Sequence, residues 1–148
     1  LRYTLITDQA GDFGFSFRGS SQLALKQAQE RGASRIDYMD SSYTPRSRQV
    51  ATTSWSLGDW SASLSISRIG HVNYIEDTKG SPYFNTNITA YYEIADDMFV
   101  GLTANNIFDA FPDRDAAYGG SSYYPFFVNA NLYPITGPAL SAVFSARF

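Results

Sequence analysis

The sequence predicts an all-β fold, an antiparallel meander of about seven strands that forms part of a large transmembrane β-barrel. Apolar residues alternate with small polar residues over many segments of strand length, which is the period of a strand with two different faces. Aromatic residues make up 16% of the chain, a proportion that favours strands and interfaces. Short and long connections also alternate, as they do in barrels that carry turns at one end and loops at the other.

The clearest hairpin surrounds the pair Gly58-Asp59. Leu57 and Trp60 flank this two-residue turn, so we expect them to pair and to point the same way. Glycine at the first turn position favours a type II′ turn. Serines alternate with the apolar residues after the turn. The shared apolar face consists of Ala51, Thr53, Trp55 and Leu57 before the turn and Trp60, Ala62, Leu64 and Ile66 after it.

A second hairpin is predicted around Asp96-Asp97 by the same alternation. Asparagine, threonine and glycine are frequent at the positions between its apolar residues. The predicted apolar face consists of Phe84, Thr86, Ile88, Ala90, Tyr92 and Ile94 before the turn and Met98, Val100, Leu102 and Ala104 after it.

The N-terminal part repeats the pattern, with Phe13, Phe15 and Phe17 on one face of a strand. Leu1, Tyr3 and Leu5 predict a strand before it, joined through the turn Asp8–Asp12. Because Leu23 and Leu25 keep the phase of the phenylalanines, we expect the first half of Ser21–Arg31 to continue the strand. A helix is the alternative, since this segment is rich in Gln, Ala, Leu, Lys and Glu.

The connections predict which strand ends lie together. Seven strands cannot form a bacterial single-chain barrel, which has an even number, so we expect this sheet to belong to a larger closed one. A free edge would otherwise invite aggregation. The short connections are Asp8–Asp12, Gly58-Asp59 and Ala95–Asp97, and the long ones are Glu30–Pro45, Ile75–Pro82 and Asp109–Pro138.

The last predicted strand is Ala139–Phe148. An amphipathic strand that ends on phenylalanine resembles the terminal strand of bacterial outer-membrane proteins, which the barrel-assembly machinery recognises. The alternative is an ordinary amphipathic strand at the end of the chain. The residues expected to form the assembly signal are Leu140, Ala142, Phe144 and Phe148.

Two stretches resemble a particular family, the TonB-dependent receptors. The segment Leu102–Asp109, followed by Ala110-Phe111-Pro112, is similar to a block near the C-terminal end of these receptors. The segment Arg46–Trp60 resembles a hairpin a few strands earlier. The residues of the block itself are Asn105, Asn106, Ile107, Phe108 and Asp109.

The resemblance implies a barrel of about 22 strands with a plug in its lumen. Residues 1–148 would be the C-terminal section of the barrel, with earlier strands and the plug outside this chain. Such a receptor sits in the bacterial outer membrane and imports a scarce nutrient, a siderophore, a cobalamin or a glycan. Its partners would be outer-membrane lipid, its own upstream strands and plug, and the TonB complex through its N-terminal region. A passive porin or a surface adhesin is the alternative.

Charged and aromatic residues have expected places in this arrangement. Arg18, Lys26, Glu93 and Arg147 should face the lumen or the plug. Aromatic residues of the last long connection are expected in the interfacial girdle of the membrane. Contact with a ligand is the second interpretation for three tyrosines, because tyrosine supplies rigid amphipathic area. These three residues are Tyr118, Tyr123 and Tyr124.

Composition argues against several function classes. The absence of cysteine excludes disulfides, thiol nucleophiles and cysteine-based zinc sites. His71 is the single histidine, and the sequence shows no recognisable catalytic-triad or metal-ligand motif around it. A net charge of −3 and a pI near 4.9 argue against a nucleic-acid binder. We therefore expect neither an enzyme nor a cofactor.

Overall fold

The computed structural model describes residues 1–39, 44–74, 79–115 and 127–147. Seven strands of these residues form one antiparallel sheet. Within it, each strand pairs with the sheet strands that come directly before and after it in the sequence. The predicted all-β antiparallel meander is therefore confirmed for the described residues. The strands of this sheet are β1 (Arg2–Leu5), β2 (Asp12–Ser21), β5 (Ser47–Leu57), β6 (Trp60–Ile69), β7 (Tyr83–Ala95), β8 (Met98–Asn105) and β9 (Ala139–Ala146).

A separate two-stranded ribbon, β3 (Lys26–Gln27) and β4 (Ile36–Asp37), lies between β2 and β5 in the chain. The described residues contain no helix, and thus no helix that is long and apolar enough to cross a membrane. The sheet has a short-turn end, with the turns 6–11, 58–59 and 96–97, and a long-connection end, with residues 22–46, 70–82 and 106–138.

The prediction that β2 continues through Leu23 and Leu25 is wrong, since the strand ends at Ser21. Ser21 pairs with Ser47, and the amide of Gln22 donates to the carbonyl of Arg46, so Pro45 would come next on the partner strand. The missing amide of Pro45 is not the cause, because Gln22 and Arg46 form a hydrogen-bonded pair and the next position on the partner strand directs its nitrogen towards β6. The pairing ends where β5 begins, at Ser47. Leu23 is 91% exposed, and the helical alternative is not found either.

The turn at Gly58-Asp59 has the predicted geometry. Leu57 pairs with Trp60 across it. Gly58 has a φ of +55°, whereas Asp59 is not among the residues with positive φ, as a type II′ turn requires. The predicted hairpin is confirmed.

The turn at Asp96-Asp97 is closed by a bulge that the sequence pattern did not reveal. Ala95 pairs with Met98, but Glu93 pairs with Phe99, so Ile94 is an extra residue in β7. Without this residue the two-residue turn would place the apolar residues of β7 and β8 on opposite faces. The bulge restores the pairing of Tyr92 with Val100 and keeps both on one face.

The register unites the alternating strands into one apolar face. In all six strand pairings, the residues on the face that carries Trp60 and Leu64 pair with residues on the same face of the next strand. The apolar residues of each strand therefore lie beside those of the next. One row of paired residues crosses the whole sheet and is entirely apolar. It consists of Leu5, Phe13, Trp55, Ala62, Ala90, Leu102 and Ala142.

The opposite side, the polar face, is lined largely by small polar side chains. The Thr89 and Thr103 hydroxyls are 3.3 Å apart, and the Ser141 hydroxyl donates to the Thr103 carbonyl at 3.5 Å. Such local bonds satisfy hydroxyls without any covering layer. One row of this face consists of Thr4, Gly14, Ser54, Ser63, Thr89, Thr103 and Ser141.

The buried apolar residues of the described chain gather at the long-connection end rather than under the middle of the sheet. Ile69 and Tyr83, which pair across β6 and β7, place this cluster on the side of the polar face. The rings of Tyr83 and Tyr133 meet edge to face at 5.4 Å. The cluster contains Ile69, Val72, Tyr83, Leu132 and Tyr133, with Tyr74 and Ala110 packed against it.

We predict that Gly101→Ala destabilises the fold by about 1 to 3 kcal/mol through overpacking. A Cβ at this buried position would lie 2.5 Å from the Tyr91 ring and 2.9 Å from Val143 Cγ1. Gly14→Ala is the matched control, because its Cβ would meet only the rotatable Ser54 hydroxyl closely. Urea unfolding followed by tryptophan fluorescence measures both changes, and equal effects of the two variants would contradict the packing account.

Candidate functional site

The apolar face is an extensive candidate interaction surface of the described residues. Its side chains are substantially exposed, for example Trp60 at 52%, Leu102 at 52% and Phe144 at 62%. Seven strands about 4.8 Å apart, with an apolar stretch about 20 Å long, make a patch of roughly 600 to 700 Å². The largest apolar patch of a typical soluble monomer is about 300 to 600 Å², so a face of this extent indicates contact with another protein or a membrane.

Aromatic side chains concentrate at the short-turn end of this face. The rings of Trp60 and Tyr92 lie 4.6 Å apart, and these residues pair across β6 and β7. The indole nitrogen of Trp55 donates to the carbonyl of Ala10 at 2.7 Å, which ties β5 to the turn before β2. Gly11 allows this approach, because a Cβ there would lie 2.9 Å from the Trp55 indole nitrogen. An apolar body with one polar contact suits the boundary between an apolar phase and water.

The polar face carries a cavity of about 610 Å³ at the short-turn end. Glu93 and Arg147, both expected on the inner side of the wall, line this cavity together with the edge-to-face pair of Tyr91 and Phe99. Arg18 also lies on the polar face, opposite Val50. Lys26, by contrast, belongs to the separate ribbon and not to the seven-stranded sheet.

Asn106 organises the connection that follows β8. Its side chain is buried, with 2% exposure, and its φ of +49° lies in the left-handed region that asparagine tolerates. The amide nitrogen donates to the carbonyls of Ala110 at 3.0 Å and Thr136 at 3.1 Å, and the amide oxygen accepts from the Ala110 amide at 2.8 Å. The Asn106 backbone amide donates to the Asn87 side chain at 2.9 Å. One residue thus joins β7, the turn 106–110 and the approach to β9.

The other residues of the Asn105–Asp109 block have different surroundings. Asn105 pairs with Ala139 and is exposed. The amide of Ile107 donates to the Thr86 carbonyl, and the amide of Asp109 donates to the Asn106 carbonyl. Phe108 is 75% exposed and Asp109 has a φ of +50°. The block is therefore a tight turn around a buried asparagine, which the alternation of the sequence did not indicate.

The predicted assembly residues in the described part of β9 lie on the apolar face. Leu140 is 77% exposed and Phe144 is 62% exposed, while Ala142 pairs with Leu102. Phe148 lies outside the described residues, as do the three tyrosines predicted to contact a ligand, Tyr118, Tyr123 and Tyr124.

A polar cluster around Tyr74 and Asp113 lies at the long-connection end, and it was not expected from the sequence. The Tyr74 hydroxyl donates to the carbonyl of Asp113 at 3.2 Å, and a carboxylate oxygen of Asp113 accepts from the Ser81 amide at 2.6 Å. Burial raises the pKa of Tyr74 above its ordinary value of 10.0, and the neighbouring Tyr133, Asp113 and Asp115 raise it further. Burial also raises the pKa of Tyr133. Both phenols are therefore protonated at neutral pH, and the Tyr74 hydroxyl serves as a structural hydrogen-bond donor of this cluster.

Among residues 1–39, 44–74, 79–115 and 127–147, no three His, Asp or Glu side chains are grouped so that they could hold a metal ion. No protein-family model, no curated protein and no solved structure matches this chain.

We predict that Asn106→Ala loosens the turn at 106–110 and the entry to β9 and lowers the free energy of unfolding by about 2 to 4 kcal/mol. The reason is that the Ala110 amide and the carbonyls of Ala110 and Thr136 lose their hydrogen-bond partner. Asn105→Ala is the matched control, since Asn105 is exposed. Amide hydrogen exchange of residues 107–110 reports the loosening. Undiminished protection in Asn106→Ala would show that the side chain does not hold the turn.

Proposed function

We propose that this chain is the C-terminal section of the barrel wall of a TonB-dependent outer-membrane receptor. Such a receptor binds a scarce nutrient, a siderophore, a cobalamin or a glycan, and imports it with energy supplied through the TonB complex. The observation that carries the proposal is the apolar face that continues across seven antiparallel strands, opposite a face of small polar residues. A transmembrane barrel requires this alternation, because its outer side meets lipid and its inner side meets water or a plug.

The lengths of the three central strands support a membrane-spanning role. β5, β6 and β7 have 11, 10 and 13 residues. A tilted strand that crosses a bilayer needs about 9 to 11 residues. Trp55, Trp60 and Tyr92 lie at the short-turn end of the apolar face, and their amphipathic rings suit an interfacial aromatic belt.

The distribution of buried residues favours the barrel wall over a soluble β-sandwich. A sandwich buries one face of each sheet against a second sheet. In the described residues, the other sheet is the ribbon of β3 and β4, with two residues in each strand. A lipid bilayer covers an apolar face without any second layer of protein.

The receptor is preferred to a passive porin or an adhesin because of the Asn105–Asp109 block. The block resembles a segment of the receptor family. In this chain its residue Asn106 hydrogen-bonds to Ala110 and Thr136 and so holds the connection at the long-connection end together. A folded cluster at that end, on the side of the polar face, suits an extracellular rim that presents a ligand site. A porin or an adhesin would have the same kind of barrel wall. Binding of TonB, the partner of the receptor class, therefore distinguishes a receptor from a porin or an adhesin.

The first test concerns the membrane and uses neighbouring residues with opposite orientations. We predict that a benzophenone amino acid at Leu102, in the full-length protein in its native membrane, crosslinks to lipid. The same probe at Thr103, on the polar face, should crosslink to protein or give no lipid adduct. Mass spectrometry of the adducts identifies the partners. Protein adducts at Leu102 in place of lipid would overturn the barrel proposal.

The second test concerns energy coupling. We predict that the full-length protein in detergent binds the purified periplasmic domain of TonB from the same bacterium, since receptors of this class contact it directly. Surface plasmon resonance measures the interaction. Lipid crosslinking at Leu102 without TonB binding would leave a membrane barrel and replace the receptor with a porin or an adhesin.

A further inference from the structure

Arg68 is the one charged residue on the apolar face of the seven-stranded sheet. It continues the phase of Trp60 and Ile66 along β6, and it pairs with Gln49 on one side and Phe84 on the other. An isolated charge on an otherwise apolar face is unfavourable unless an anion or water meets it. The other charged residues of these seven strands, all on the polar face, are Arg2, Asp12, Arg18, Arg48 and Glu93.

The neighbours of Arg68 hold its guanidinium group without neutralising it. Its Nη1 donates to Oε1 of Gln49 at 2.8 Å and to Oγ of Ser47 at 3.2 Å. Its Cζ lies 5.8 Å from the centre of the Phe84 ring. Each of these partners is uncharged, so within the part of the chain that the structure describes the positive charge remains available to an anion.

The two hydrogen bonds also determine which edge of the guanidinium group is available. Both are made by Nη1, and neither engages the edge formed by Nε and Nη2. Two parallel N–H groups on such an edge match the oxygens of a phosphate or a carboxylate. Because Ser47 and Gln49 fix the group on the opposite side, less side-chain entropy is lost when an anion binds.

The position of Arg68 selects between these anions. It lies eight residues from Trp60 along β6, or about 27 Å at the usual rise of a strand. At the usual tilt of barrel strands this is a height of about 20 Å, close to the apolar band of about 25 Å in outer-membrane barrels. Trp60 and Arg68 therefore mark the two borders of the apolar face, and phosphate groups are the anions at the border of a membrane.

We propose that Arg68, held by Ser47 and Gln49 over Phe84, binds the phosphate of a membrane-lipid headgroup at the long-connection end of the apolar face. This inference rests on the proposed function, because it requires the apolar face to contact lipid. The exposed ring of Phe84 and the methylene groups of Arg68 would contact the first part of the acyl chains, while the guanidinium group reaches the headgroup.

The test compares variants of the full-length protein in mixed micelles that contain phosphatidylglycerol and monogalactosyldiacylglycerol, which lacks phosphate. Native mass spectrometry measures which lipid each variant retains. Arg68→Gln should retain phosphatidylglycerol about tenfold less than the wild type, the loss expected for a charge-assisted hydrogen-bonded pair. Arg18→Gln, the same change on the polar face, should leave the preference unchanged. Arg68→Lys should be intermediate, because lysine keeps the charge but lacks the two-pronged edge.

The outcomes separate this inference from the proposed function. An unchanged phosphatidylglycerol preference in Arg68→Gln, together with lipid crosslinking at Leu102, overturns the role of Arg68 and leaves the barrel proposal standing. Equal loss of both lipids overturns the assignment to phosphate. Absence of lipid crosslinking at Leu102 overturns the proposed function itself. If Arg68→Gln does not fold, the lysine variant decides, since an undiminished preference there contradicts binding through the guanidinium edge.

Discussion

The antiparallel register of the sheet is the constraint on which the other features depend. Side chains alternate strictly along a strand, so a pairing displaced by one residue turns every side chain of that strand to the opposite face. All six pairings of the seven-stranded sheet preserve the phase. For this reason the alternation within single strands becomes a property of a whole surface, apolar on one side and polar on the other.

The two tight turns meet this constraint by different means. At Gly58-Asp59, a two-residue turn pairs Leu57 with Trp60, which already share a face. At Asp96-Asp97, a turn of the same length pairs Ala95 with Met98, which would invert the phase of β8. The bulge at Ile94 removes that conflict. A single extra residue thus preserves the apolar face where the turn alone would interrupt it.

The packed part of the described chain lies at the end of the sheet. The cluster around Tyr83 and Tyr133, and the bonds of Asn106 to residues 110 and 136, stabilise the long connections against β6 and β7. Within the described residues, the packed cluster does not extend to the middle of the sheet on either face. In a soluble sandwich the reverse holds, because the packed layer lies under the middle of the sheet.

Period-two alternation is a local property, and the sequence by itself determined the strands, their two faces and the turn at Gly58. It did not determine where β2 ends, because this depends on where its partner β5 begins, more than twenty residues away in the chain. Nor did it distinguish Asn105 from Asn106. Only the tertiary structure decided that Asn105 is exposed and Asn106 is buried, since the partners of Asn106 come from three separate segments. The same holds for Arg68, whose phase is visible in the sequence but whose contacts with Ser47, Gln49 and Phe84 exist only because the register brings three strands together.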